Sequence, residues 1–89
     1  MGKAKILVVE HEPAVAKDLQ RRLEQMGYDV PCAATSGEEA LNRVREHKPG
    51  LVLMNILLTG AMDGIEAADR IRSADDIPII YLTENADEE

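Results

Sequence analysis

Residues 51–54 (Leu-Val-Leu-Met) form an uninterrupted apolar run, entered through Pro49-Gly50 and closed by the polar Asn55 before Ile56, Leu57 and Leu58 follow. A short apolar run without polar alternation suits a strand covered on both faces, as at the centre of a parallel sheet. Asn55 then stands at the carboxyl end of that strand. In open α/β sheets this is the edge at which ligands bind, in the crevice where strand order reverses.

The rest of the chain supplies partners for such a strand. Residues 5–9 (Lys-Ile-Leu-Val-Val) read as a second buried strand, ending on the acidic turn Glu10-His11-Glu12-Pro13. Pro13 opens a helix whose apolar face is expected at Val15, Leu19, Leu23 and Met26, with Gly27 as its stop. Residues 28–34 read as a further strand, and Pro31, which lacks a backbone donor, assigns it to an edge. Ser36-Gly37-Glu38-Glu39 is a capping box opening a helix to about Lys48, with Ala40, Leu41 and Val44 as its core face and His47 near its end. After the loop 59–62, Asp63 caps a third helix with Ile65, Ala68 and Ile71 inward, ending near Ser73. Residues 77–82 form the last strand, which stops at Thr83-Glu84-Asn85. The resulting βαβαβαβ pattern calls for a parallel sheet with helices on both faces.

Composition narrows the function. The chain has 89 residues, 45% of them hydrophobic, which suits one domain with a modest core. A net charge of -7, from 17 acidic against 10 basic residues, gives no basic footprint for nucleic acid or an anionic membrane. No run approaches the ~18 apolar residues of a membrane span. With Cys32 as the only cysteine, an internal disulfide is impossible and a reducing cytoplasm is the expected compartment. Cys32 itself reads as a small buried hydrophobe. The first turn lacks the glycines that let backbone approach a pyrophosphate, and no serine sits in a nucleophile elbow. Neither a dinucleotide enzyme nor a covalent hydrolase is expected.

The runs ILVVEHEP (6–13), SGEEAL (36–41), LVLMNI (51–56), MDGIEA (62–67) and IPIIYLT (77–83), in this order and spacing, resemble the response-regulator receiver domain of two-component signalling. The resemblance implies a flavodoxin-like doubly wound sheet of order 2-1-3-4, with the fifth strand of the family absent, so that 1–89 is a receiver-like domain incomplete at its C-terminal side. It also implies roles. The phosphoryl-accepting aspartate of receivers corresponds to Asn55, and the acidic pair that holds magnesium corresponds to Glu10 and His11. The hydroxyl residue of the switch corresponds to Thr83, followed by Glu84 where the resembled receivers have a small residue.

These departures bear on the chemistry. A carboxylate can form an acyl phosphate, whereas a neutral amide is a poor nucleophile. Magnesium prefers hard oxygen ligands, so His11 removes a ligand of the preferred type together with a charge. Glu84 would repel an incoming phosphoryl group. Thr59, where the family usually has proline, is a milder change.

The expectation is a non-enzymatic, cytoplasmic signalling module that is not phosphorylated at the usual position, holds no cofactor, and acts through protein contact. Its partner would be a histidine kinase, an output domain, another receiver or a second copy in a homodimer. Two alternatives stay open. One is a phospho-accepting receiver whose acceptor aspartate has been exchanged for asparagine. The other is a divalent-metal domain using Glu10, His11, Glu12 and Glu84. If the missing elements are truly absent, apolar sheet surface and the edge of the last strand would need a covering partner.

Overall fold

The computed structural model describes residues 4–58 and 60–82. Its four strands, β1 (Ile6–Val9), β2 (Ala33–Ala34), β3 (Leu51–Asn55) and β4 (Ile79–Leu82), are linked in chain order by α1 (Pro13–Gln25), α2 (Gly37–His47) and α3 (Gly64–Ala74). The sheet order is β2-β1-β3-β4, and every pairing is parallel. This is the flavodoxin-like, doubly wound order expected, with the Pro31 segment leading into an edge strand.

Strand alternation divides the core into two layers. Leu7 and Val9 of β1 and Val52 and Met54 of β3 pack with Ala40 and Val44 of α2 and Ala67 and Ile71 of α3. Ile6 and Val8 face the other way, with Leu51 and Leu53, onto Ala16, Leu19 and Leu23 of α1. The central strands are therefore covered on both sides, which is why their sequences are apolar without alternation.

Three expectations need correction. The strand proposed over 28–34 is only two residues long, preceded by an isolated bridge between Lys5 and Asp29. Pro31, between the bridge and the strand, has no N–H for a ladder. On the helices, Val15, Met26 and Ile65 are exposed, Ile65 at 50% and Met26 at 69%. Ala16 in α1 and Ala67 in α3 are buried in places that were not expected, while Ala68 and Ile71 are buried as expected. A small side chain lets a helix axis approach the sheet, so the inward face is shared by these alanines with Leu19 and Leu23 of α1 and Ile71 of α3. Finally, the Ser36 hydroxyl accepts from the Glu39 N–H as a capping box requires, but the Glu39 carboxylate reaches past Ser36 to the N–H and hydroxyl of Thr35.

β4 begins at Ile79 rather than Ile77, although the Val52 N–H still donates to the Pro78 carbonyl. Among the described residues β4 pairs only with β3, and its Ile80 is 50% exposed.

Candidate functional site

The register of β1 on β3 builds the site. Val9 lies opposite Met54, so the next step along each strand brings Glu10 beside Asn55 at the carboxyl edge. Continuing the alternation, both side chains fall on the α1 side of the sheet. Both are buried, Glu10 at 3% and Asn55 at 2% exposure, and they are the only buried polar or charged residues among those described.

Buried polar groups are costly unless paired, and these are paired with each other. The Asn55 Nδ2 donates to Glu10 Oε1 at 2.6 Å, and the Asn55 Oδ1 accepts from the Leu57 N–H at 2.9 Å. The second carboxylate oxygen, Oε2, accepts from the Glu12 N–H at 3.1 Å. Glu12 is the N-cap residue of α1 and makes no side-chain cap of its own. One carboxylate thus joins the start of α1 to the end of β3, and one amide carries the connection into the loop beyond β3.

The backbone of Asn55 is held equally closely. The Gly64 N–H donates to the Ile56 carbonyl at 2.8 Å, holding the start of α3 against the strand end. A Cβ added to Gly64 would lie 2.2 Å from the Asn55 carbonyl oxygen and 2.8 Å from the Ile56 Cα, so only glycine allows this approach. Asp63 caps α3 at this point by accepting from the Glu66 N–H at 2.9 Å. The MDG sequence singled out for its cap is also where the loop closes beneath the site.

His11 is the remaining described member. Its Nδ1 lies 3.2 Å from Glu10 Oε2, within ion-pair range, yet the orientation forms no hydrogen bond, and this atom is buried without a hydrogen-bond partner. The ring as a whole keeps 28% exposure. Glu10, His11 and Glu12 each bring one potential ligand atom to within 4.8 Å of the others. Thr83 and Glu84, assigned to the phosphoryl and switch positions, lie outside the described residues, as does Thr59.

Magnesium does not fit these side chains as arranged. It favours near-octahedral oxygen ligands. Here the group facing Glu10 across the crevice is an N–H donor, both Glu10 oxygens already accept hydrogen bonds, and the next residue is an imidazole.

Other candidates are accounted for structurally. Cys32 is half-buried against the α2 side of the core, and burial pushes its thiol up, away from the reactive thiolate. His47 ends α2, where its carbonyl accepts from Lys5 Nζ. No helix among the described residues is long and apolar enough to cross a membrane.

Comparison with known proteins gives a consistent answer. The response regulator receiver domain family matches residues 6–89. The transcriptional regulatory protein AfsQ1 of Streptomyces coelicolor is 39% identical over 83 residues, covering 93% of this chain and 36% of its own length. Among solved structures, the signal receiver domain of a modulated diguanylate cyclase from Desulfovibrio desulfuricans is 37% identical with a TM-score of 0.87, over 94% of this chain and 67% of that one. The anti-anti-sigma factor PhyR of Bartonella quintana, solved in complex with the anti-sigma factor NepR, is 32% identical with a TM-score of 0.81, over 89% of this chain and 32% of that one. The chain thus spans about a third of the length of AfsQ1.

Proposed function

The chain belongs to the response regulator receiver domain family of two-component signalling, and from that premise we propose that it is a receiver module that does not carry a phosphoryl group at Asn55 and works by protein–protein contact. The observation that carries this reading is the state of Asn55. It is an amide where an acyl phosphate needs a carboxylate, it is buried, and both ends of its side chain are engaged. In this reading the module is not an enzyme and acts in the cytoplasm. Its partner is a histidine kinase, an output domain or a further receiver, with a second copy of the chain as the homodimeric case. The PhyR–NepR complex supports a protein partner in general and none of these in particular, since a structural relative is solved there with an anti-sigma factor bound to it.

The test is phosphoryl transfer into repaired variants. Asn55→Asp alone should remain unlabelled by a phosphodonor with magnesium, and Asn55→Asp with His11→Asp should label. Full labelling of the single variant would instead establish an ordinary receiver with one exchanged residue.

A second reading, a divalent-metal domain, has one observation in its favour, the convergence of Glu10, His11 and Glu12 ligand atoms. Imidazole with carboxylate suits zinc or manganese better than magnesium. A zinc- or manganese-dependent rise in Tm would support it, and an unchanged Tm would remove it.

A further inference from the structure

The orientation of the Asn55 amide against Glu10 is fixed by its other neighbour. The Leu57 backbone N–H can only donate, so the Asn55 atom facing it must be the carbonyl oxygen, and the amide nitrogen must face Glu10. Turning the amide over would offer Oδ1 to a cation beside Glu10. It would also set the NH2 group against the Leu57 N–H, donor against donor. A cation between Glu10 and Asn55 therefore costs a buried hydrogen bond in either orientation.

We infer that the Asn55 side-chain amide is a built-in replacement for the divalent cation: it ties the turn after β1 to the loop after β3 without metal, so the crevice holds one arrangement whether or not magnesium is present. The tie is continuous from the Leu57 N–H through Asn55 and Glu10 to the Glu12 N–H at the start of α1. With an aspartate at position 55, two carboxylates would face each other at the same short separation, and like charges so placed repel unless a cation or a shared proton lies between them. The amide turns this repulsion into an attraction. The inference rests on the reading of Asn55 as the phosphoacceptor position, but it concerns how the crevice is held and not whether it is phosphorylated.

The experiment is thermal melting of the intact protein and of Asn55→Asp, each in EDTA and in magnesium. The unaltered protein should melt at the same temperature in both. Asn55→Asp should melt lower in EDTA, by about 4 °C or more, and Asn55→Asp with His11→Asp, which restores an oxygen ligand, should regain the loss in magnesium. Magnesium raising the Tm of the unaltered protein would overturn the inference, as would an Asn55→Asp variant with an unchanged Tm in EDTA. Should that variant fail to fold, the unaltered protein still decides: its Asn55 side-chain amide protons, followed by NMR, should be protected from exchange and unmoved by magnesium. Rapid exchange, or a magnesium-dependent shift, would overturn the inference. A phosphoryl adduct on the unaltered protein would remove the reading of an unphosphorylated module, whereas a magnesium response removes only the replacement of metal by amide, so the two failures are distinguishable.

Discussion

At Asn55, one atom decides between two chemistries. An oxygen in place of Nδ2 would be a nucleophile and a metal ligand, while the N–H present is a donor that stabilises a buried carboxylate. Hydrogen bonds to charged groups contribute roughly 1.5–3 kcal/mol, and leaving such a group unpaired costs more. The glycine beneath this residue is equally constrained. Gly64→Ala places a methyl group 2.2 Å from the Asn55 carbonyl oxygen, and backbone cannot yield as a flexible side chain does. A loss of about 3 kcal/mol, towards the upper end of overpacking costs, is expected in urea denaturation. A variant as stable as the parent would show that α3 does not approach the strand end this closely.

At the scale of elements, helix phase is the most informative test. Ile71 is buried against the α2 side of the core and Ile65 is half exposed on the same helix. Ile71→Ala should cost about 2–5 kcal/mol and Ile65→Ala within about 0.5 kcal/mol. Equal costs would mean that α3 is rotated from the orientation described. The start of α2 makes a pH prediction. The Thr35 backbone N–H, bonded to Glu39, is the main cause holding that carboxyl below its ordinary range; the Thr35 hydroxyl and Arg43 act in the same direction, and partial burial opposes them. A folded pKa below the unfolded one gives stability that is present above the unfolded value and lost as pH falls through the folded value. Glu39→Gln should therefore flatten the acid limb of the stability profile without altering its alkaline limb. An unchanged acid limb would count against this bond.

The same elements show what could be read from the chain in advance. Apolar runs located β1 and β3 because a doubly covered strand leaves no polar positions, and the caps at Ser36 and Asp63 located two helix starts. Helix faces were less legible. Three- and four-residue spacings admit more than one phase, and the buried alanines Ala16 and Ala67 carry little hydrophobic signal against the larger Val15 and Ile65. The Asn55–Glu10 bond was half visible. Both residues could be placed at strand ends, but their adjacency required the Val9–Met54 register, a property of the paired strands and of neither segment alone. The donors from Leu57 and Glu12 were invisible because every residue type except proline carries the same backbone N–H.

On the scale of the whole molecule, sheet order brings the ends of β1 and β3 side by side, and the family uses that crevice for phosphoryl signalling. Here the fold is retained while the two described positions at its centre hold each other. The two faces of the sheet are also covered differently, by α2 and α3 on one side and by α1 on the other. The exposed Ile80 lies on β4, one of the two edge strands of the described sheet. The central claim is met most directly by the intact mass of the unaltered protein before and after incubation with magnesium and acetyl phosphate, beside a receiver that labels under the same conditions. The account predicts an unchanged mass. An acid-labile phosphoryl adduct would contradict it, and would place the acceptor at another carboxylate, with Glu10 and Asp63 the first to be substituted.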